Sequence, residues 1–225
     1  MKLVIFDCDG TLVDSQHIIV AAMDQAFTEN GLVPLPRTKT LSIVGLSLPY
    51  AIEMLLPGHE RKLVLSVNDA FRAAFGTLRR NPEHVEPPYP GCMDCILELS
   101  GRDDVVLGLA TGKSRRGVDA LFERLNLTPH FITIQTADEH PSKPHPSMIR
   151  TAIAEAGVRA ADTVMVGDTT YDIQMATNAE VAGIGVSWGY HDVADLKGAG
   201  AHAIVGDYAD LIPVINRLLS DEPQP

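Results

Sequence analysis

Aspartates follow two apolar runs of the sequence. Asp7 and Asp9 come directly after KLVIF, and Asp168 comes directly after TVMVG. Carboxylates held close together repel one another unless a cation lies among them. Mg²⁺ prefers a few carboxylate oxygens completed by waters and substrate phosphate, whereas zinc would need His or Cys ligands, and none is placed for it. The three aspartates therefore predict a magnesium site.

Groups that could hold a phosphate occur at two further points. Thr111 follows the apolar run VVLGLA, and the amide of Gly112, at the start of a predicted helix, could donate to phosphate oxygens. Lys143 lies in the polar loop HPSKPHP and could offset the charge of a phosphoryl group and of a carboxylate nucleophile. A carboxylate, a metal and a lysine on one phosphate are the parts required for an aspartyl-phosphate intermediate.

Short apolar runs alternate with amphipathic stretches along most of the chain. The runs predict buried strands at 2–6, 105–110, 131–135, 163–167, 182–186 and 201–205. Helical patterns lie at 91–100, 115–126, 146–156, 171–180, 192–198 and 208–219. This alternation predicts an α/β fold with a doubly wound parallel sheet, in which polar residues at the carboxyl ends of neighbouring strands converge on one pocket.

Residues 15–88 interrupt this alternation. Helical patterns run from a candidate N-cap at Ser15 to Asn30, and near 48–56 and 60–80. The segment contains no convincing strand, and the chain then enters the proline-rich PEHVEPPYPG, which suits a linker. The pattern predicts an all-helical module at 15–88, inserted into a core formed by 1–14 and 89–225.

The composition limits the partners and the location of the protein. The chain has 225 residues, and acidic residues outnumber basic ones by 29 to 18. The net charge of −11 argues against nucleic acid or an anionic membrane surface as a partner. No apolar run approaches the roughly 18 residues of a membrane-spanning helix, so we expect a cytoplasmic protein. Cys92 and Cys95, although spaced as C-x-x-C, are expected to be ordinary thiols.

Four segments together resemble the motifs of the haloacid dehalogenase (HAD)-like hydrolase superfamily. They are DCDGTLVDS, the hydroxyl of ATGKS, the lysine of PSKPHP, and VGDTTYD, and they occur in the order of that family. The resemblance covers essentially the whole chain, including a helical cap after the first motif. PYPG before the second motif and GVSWGYHD after the fourth are similar to the phosphoglycolate phosphatase-like subgroup.

The resemblance implies a role for each motif residue in catalysis. Asp7 would attack phosphorus and become phosphorylated, and Asp9 would protonate the leaving oxygen and then activate water. Thr111, Gly112 and Lys143 would hold the phosphoryl oxygens. The dehalogenating members lack the second aspartate and need no Mg²⁺, so Asp9 favours phosphoryl transfer.

The resemblance also implies a metal site and its supports. Asp7, the backbone carbonyl of Asp9, and Asp168 would hold Mg²⁺. Asp172 would support the site from behind the metal ligands or through a water, or would only complement the helix dipole. The remaining implied positions are Gly10 and Thr11, which would aim the first two carboxylates inward, and Gly45, which resembles a substrate loop but could equally be an interhelical turn.

The function that the resemblance favours is a Mg²⁺-dependent phosphatase acting on a small organic phosphate monoester, with phosphoglycolate as the leading substrate. A phosphomutase like beta-phosphoglucomutase and a pyrophosphatase are alternatives, because they would use the same motifs. A non-catalytic module that senses phosphorylation is a remote alternative. The sequence leaves the oligomeric state open.

Several polar or aromatic residues near the motifs are expected to serve the fold instead of the chemistry. The expectation is a solvated helix start for Lys113, Arg115 and Arg116, surface positions for His140 and His145, and core positions for Trp188 and Tyr190.

Overall fold

The computed structural model describes residues 1–81 and 84–220. The strands are β1 (Lys2–Phe6), β2 (Val105–Thr111), β3 (Phe131–Thr136), β4 (Thr163–Gly167), β5 (Ala182–Val186) and β6 (Ala203–Val205). They form one six-stranded sheet in the order β3-β2-β1-β4-β5-β6, and every neighbouring pair is parallel. The predicted α/β fold with a doubly wound parallel sheet is confirmed.

Helices cover both faces of the sheet and form a separate group near the N-terminus. Within the described residues the α-helices are α1 (Gln16–Glu29), α2 (Arg37–Leu41), α3 (Leu48–Leu55), α4 (Arg61–Leu78), α5 (Cys92–Ser100), α6 (Arg115–Leu125), α7 (Ser147–Ala156), α8 (Thr170–Asn178), α9 (Val193–Gly198) and α10 (Leu211–Leu218). None of these helices is long and apolar enough to cross a membrane.

The side chains of β1 alternate between two hydrophobic clusters. Val4 and Phe6 pack with residues of α5, α6 and α10 on one face of the sheet. Leu3 and Ile5 pack with residues of α7 and α8 on the other face. All four side chains are fully buried. A strand covered on both faces is apolar throughout, which is the physical basis of the sequence signal.

Helices α1, α3 and α4 share a separate hydrophobic cluster, to which Phe27, Ile52 and Val67 contribute. This segment is the predicted helical insertion. The sequence did not predict α2, because its residues RTKTL bury only Thr40 and so carry no apolar period. The exact domain limits of 15–88 for the cap, and 1–14 with 89–225 for the core, stay a prediction.

The two chain crossings between the helical insertion and the sheet lie side by side. The amide of Asp14 donates to the carbonyl of Pro87 at 2.9 Å, and the amide of Tyr89 donates to the carbonyl of Leu12 at 3.0 Å. Of the predicted proline-rich linker, residues 82–83 lie outside the described part of the chain, as do residues 221–225 of the predicted core.

Two local predictions, the cap of α1 and the start of the last strand, need correction, and the prediction for the two cysteines is confirmed. Ser15 precedes α1 but makes no side-chain cap bond, because its hydroxyl donates to Asp9 instead. The last strand begins at Ala203, two residues later than predicted. Cys92 and Cys95 are buried free thiols, as expected, and burial raises their pKa values to about 11 and about 12.

Candidate active site

Three adjacent strands deliver the predicted site residues to one edge of the sheet. Asp7 follows β1 directly, Thr111 is the last residue of β2, and Asp168 follows β4 directly. Since β2, β1 and β4 are neighbours and parallel, their carboxyl ends meet. Lys143 reaches the same place from the loop between β3 and α7.

Lys143 bridges two buried carboxylates. Its Nζ lies 2.9 Å from Oδ1 of Asp7 and 2.7 Å from Oδ1 of Asp172, and none of the three side chains is more than 1% exposed. A buried ammonium is stable only when it is paired and hydrogen-bonded. Burial works to lower the pKa of Lys143, but the charges of Asp172 and Asp7 outweigh it and raise that pKa above its usual range.

Asp7 has one oxygen engaged and one without a partner. Oδ1 accepts from the amide of Cys8 at 2.6 Å and contacts Lys143, whereas the buried Oδ2 has no hydrogen-bond partner. Burial raises the pKa of Asp7 to about 7; Lys143 partly opposes this effect and Asp172 adds to it. An orphaned oxygen on a buried carboxylate is costly unless a cation or a ligand occupies its vicinity.

The Asp168 carboxylate is hydrogen-bonded on both of its oxygens and is packed closely against two glycines. Thr11 donates its hydroxyl to Oδ1 at 2.8 Å, and the amide of Tyr190 donates to Oδ2 at 2.9 Å. Gly10 adopts φ +86°, and a Cβ at Gly10 or Gly189 would collide with the Asp168 carboxylate. Burial, followed by the charges of Asp172 and Asp7, raises the pKa of Asp168 well above its usual range.

Asp172 closes the cluster from the first turn of α8. Its Oδ2 accepts from the amide of Thr169 at 3.0 Å and from the hydroxyl of Thr169 at 2.7 Å. The amide of Asp172 donates in turn to the Thr169 hydroxyl at 3.4 Å, so the two amide bonds form a capping box. With its Oδ1 on Lys143, both carboxylate oxygens are engaged by protein groups.

The carboxylate cluster suits a divalent cation. Asp7, Asp168 and Asp172 each offer an oxygen within 4.8 Å of the others. With Lys143 among them, these groups sum to a charge of −2 when all are ionised. Hard oxygen donors and a charge of −2 fit Mg²⁺ or a similar ion. The Asp9 carboxylate does not belong to this cluster.

Asp9 points toward a different set of partners. Its Oδ1 accepts from the hydroxyl of Ser15 at 2.6 Å and lies 2.8 Å from Nζ of Lys113. The Lys113 side chain is only 7% exposed, so the predicted solvated helix start is wrong for this residue. The prediction holds for Arg115 and Arg116, which are exposed.

Lys113 has a second buried carboxylate beside it. Its Nζ lies 2.8 Å from Oε1 of Glu86, whose side chain is 1% exposed. Burial alone would lower the pKa of Lys113, but the charges of Asp9 and Glu86 outweigh it and raise that pKa above its usual range. The sequence analysis missed Glu86, and no local motif marks it.

Tyr190 belongs to the site and not to the core, so this prediction is corrected. Its amide holds Asp168, and its hydroxyl lies 3.1 Å from the hydroxyl of Ser15, which in turn holds Asp9. Trp188 does pack at the core as predicted, against Tyr208, and its Nε1 donates to the carbonyl of Thr11 at 3.2 Å.

The predicted phosphate-holding residues lie under a loop of the helical insertion. Thr111 is buried, and its hydroxyl accepts from the amide of Lys113 at 3.2 Å. A Cβ at Gly112 would lie 2.5 Å from the carbonyl oxygens of Gly45 and Leu46. The Gly45 loop therefore lies directly on Gly112, which agrees with either a substrate loop or an interhelical turn.

Further contacts from the core hold this loop in place. Ser142, next to Lys143, accepts from the amide of Ser47 at 2.9 Å. The carbonyl of Ser42 accepts from the hydroxyl of Tyr171 at 3.0 Å and lies 3.3 Å from Nε2 of His191. These contacts join residues about a hundred or more positions apart, so the sequence offered no signal for them.

The two histidines near Lys143 differ. His145 is exposed, as predicted. His140 is half-buried, and its two ring nitrogens lie 2.8 Å from Ser147 Oγ and 2.8 Å from Gln135 Oε1. Burial lowers its pKa, and it does not contact the carboxylate cluster.

Comparison with known proteins identifies the family of the chain and agrees with the fold. Residues 4–186 match the family described as haloacid dehalogenase-like hydrolase, and the chain belongs to that family. It is 35% identical to the Dickeya dadantii protein named Probable phosphatase IndB, over 99% of this chain and 97% of that one. It is 32% identical to a phosphoglycolate phosphatase of Agrobacterium fabrum, over 95% and 91% of the two chains. Pyrophosphatase PpaX of Oceanobacillus iheyensis is 28% identical, over 96% and 97%.

Solved structures share the same architecture. A hydrolase from Pseudomonas syringae superposes with a TM-score of 0.85 at 24% identity, covering 98% of this chain and 100% of that one. The fold, including the helical insertion, is therefore that of the haloacid dehalogenase-like hydrolases. The protein is an enzyme of this family, a haloacid dehalogenase-like phosphatase.

Proposed function

We propose that the protein is a Mg²⁺-dependent phosphatase that hydrolyses a small organic phosphate monoester through an aspartyl-phosphate intermediate on Asp7. The observation that carries the proposal is the state of the Asp7 carboxylate. One oxygen is held by Lys143 and the amide of Cys8, and the other is buried without a hydrogen-bond partner. A nucleophile needs a fixed orientation and a free lone pair, and this arrangement provides both.

Positive charge near the nucleophile supports the attack on phosphorus. Lys143 would offset the charge of Asp7 and of the phosphoryl oxygens, and the hydroxyl of Thr111 and the amide of Gly112 would donate to those oxygens. Bound Mg²⁺ would neutralise charge on the phosphoryl group as a Lewis acid. Asp7, the carbonyl of Asp9, and Asp168 would hold that ion.

Asp172, Thr11 and Gly10 would keep the carboxylates in place without touching the substrate. Asp172 positions Lys143 through the 2.7 Å contact, and Thr11 positions Asp168 through its hydroxyl. Gly10 lets the chain turn between Asp9 and Thr11 at a backbone angle that other residues rarely adopt.

Asp9 would carry out the proton transfers. In its protonated form it would donate a proton to the leaving oxygen while phosphorus bonds to Asp7. As a carboxylate it would then take a proton from the water that cleaves the aspartyl phosphate, which releases phosphate and restores both residues. Asp9 lies two positions after the nucleophile in sequence and is 9% exposed, which suits a group that exchanges protons with bound substrate.

The closed site favours a small substrate. Asp7, Asp168 and Lys143 are 1% exposed or less, and the Gly45 loop lies on Gly112. Substrate would reach Asp7 only after this loop moves, and a large leaving group would prevent its return. Phosphoglycolate is the leading substrate, supported by the Agrobacterium fabrum relative. Pyrophosphate, supported by the Oceanobacillus iheyensis relative, is the second candidate.

A panel of phosphates tests the function. Purified protein with Mg²⁺ should release phosphate from phosphoglycolate faster than from hexose or nucleotide phosphates, and Asp7→Asn should abolish the release. An isomerised sugar phosphate in place of free phosphate would instead indicate a phosphomutase. A stable aspartyl phosphate without turnover would indicate a phosphorylation-sensing module.

A further inference from the structure

Asp9 is anchored by one carboxylate oxygen only. Ser15 and Lys113 both contact Oδ1, at 2.6 Å and 2.8 Å. Within residues 1–81 and 84–220, no hydrogen bond uses Oδ2 of Asp9. Fixing one oxygen sets the direction of the other, so the two anchors determine where a proton on Oδ2 could be delivered.

Lys113 is itself fixed by the part of the chain that returns from the helical insertion. Its Nζ lies 2.8 Å from Glu86 and 5.1 Å from the centroid of the Phe75 ring in α4. The Lys113 and Glu86 side chains are 7% and 1% exposed. A buried charge pair at this distance restricts both side chains, because either one left alone would be an unpaired charge away from water.

Glu86 lies in the chain crossing that returns from the helical insertion, and its neighbours join it to the first crossing and to the core. It precedes Pro87, whose carbonyl accepts from the amide of Asp14, and its own carbonyl accepts from the guanidinium of Arg124 at 2.6 Å. Ser15 follows Asp14 directly. Hence one crossing holds Asp9 directly through Ser15, and the other holds it through Glu86 and Lys113.

We propose that Lys113 is a positioning residue which, anchored by Glu86, aligns the Asp9 carboxylate for proton transfer to the leaving group. This inference rests on the proposed function, because it takes Asp9 as the acid that protonates the leaving oxygen. It goes beyond that function by giving a role to Glu86, which lies in the returning chain crossing. The alignment of Asp9 then depends on the two crossings that join the helical insertion to the sheet.

Leaving-group dependence separates positioning from a structural role. An alkoxide must be protonated as it leaves phosphorus, whereas acetate leaves acetyl phosphate without a proton. Misaligned Asp9 should therefore impair hydrolysis of an alkyl phosphate and spare acetyl phosphate. The ratio kcat/KM reports the steps up to loss of the leaving group, so the later attack of water does not enter it.

The variants are Glu86→Gln, Lys113→Met and the double variant. Lys113→Met alone should lower the melting temperature, because it leaves Glu86 buried and unpaired, and the double variant should restore it. In the double variant we expect kcat/KM for the alkyl phosphate that the wild type uses best to fall about 30-fold or more, and kcat/KM for acetyl phosphate to fall less than about threefold. Glu86→Gln, which leaves no carboxylate unpaired, should show the same selectivity at about three- to tenfold.

Arg115→Met is the matched control, since it removes a nearby exposed cation whose one ion pair within the described residues is with Asp119 in its own helix. Both kcat/KM values should stay at the wild-type level. An equal loss on both substrates, or an unchanged alkyl phosphate activity in Glu86→Gln and the double variant, would overturn the positioning role. If the wild type hydrolyses no alkyl phosphate with Mg²⁺, the proposed function itself fails, which is a distinguishable result.

Discussion

Nζ of Lys143 lies 2.9 Å from Oδ1 of Asp7, and both side chains are closed off from solvent. The lysine therefore compensates the carboxylate that we propose as the nucleophile while leaving its second oxygen free. Asp172 holds the lysine from the other side at 2.7 Å. Removal of any of the three should disturb the other two, because each would lose its compensating charge or its position.

Lys143→Met should lower both stability and activity. The substitution leaves Asp7 and Asp172 buried without their cation, so the free energy of unfolding should fall by about 3–5 kcal/mol, and phosphate release should be lost. Urea unfolding and a phosphate-release assay measure the two effects. Lys197→Met is the control, because Lys197 is exposed and should show wild-type values in both. A stable, active Lys143→Met protein would refute the compensating role.

Gly10→Ala should destabilise the protein more than Gly31→Ala does. Both glycines have positive φ, +86° and +70°, so both substitutions should cost about 1–2 kcal/mol in backbone strain. Only at Gly10 would the new Cβ meet the Asp168 carboxylate, whereas nothing lies within 4 Å at Gly31. We expect activity to fall in Gly10→Ala alone. Equal destabilisation and equal activity of the two variants would show that the contact with Asp168 is unimportant.

The contribution of Asp7 to the stability of the metal-free protein should fall as pH rises. The pKa of Asp7 is raised from 3.8 to about 7, so between these values the folded chain binds a proton that the unfolded chain does not. Asp7 thus contributes stability that is complete below pH 4 and is lost as pH rises through about 7, by about 4 kcal/mol in total.

The same titration predicts how Mg²⁺ should act. The ion needs the ionised carboxylates, so its stabilising effect should be larger at pH 8 than at pH 5. Thermal unfolding across this range, with Asp7→Asn as the non-titrating reference, measures both effects. If the difference in stability between the two proteins did not change with pH, the burial argument for Asp7 would be wrong.

Metal removal should abolish activity reversibly. The carboxylate cluster offers hard oxygen donors and no thiolate or imidazole, so EDTA should stop phosphate release and added Mg²⁺ should restore it. A circular dichroism spectrum before and after chelation controls for unfolding. Full activity in excess chelator would contradict the metal assignment.

Local patterns predicted the scaffold and the meeting of Asp7 with Asp168, whereas the carboxylate of Asp9, which was expected in the same cluster, lies outside it. β1, β4 and β5 have the predicted bounds because strands buried on both faces are continuous apolar runs. The strand ends then place Asp7, Asp168 and Thr111 together, which follows from parallel neighbours alone.

The residues that hold Asp9, directly or through another side chain, could not be predicted in the same way. Glu86 and Tyr190 lie 77 and 181 positions from Asp9, on loops whose paths depend on tertiary packing. Lys113 is a polar residue at a helix start, and such residues are usually solvated. Here Phe75 and Glu86, from distant segments, pack against it. α2 was missed because it is short and nearly all polar.

The most direct test of the central claim is to find the phosphoryl group on Asp7. Protein mixed with Mg²⁺ and excess substrate is quenched in acid within one turnover, digested, and analysed by mass spectrometry. The account predicts a phosphorylated peptide containing Asp7 in the wild type, and neither this peptide nor phosphate release in Asp7→Asn. Wild-type turnover by Asp7→Asn, or a phosphoryl group mapped to another residue, would contradict it.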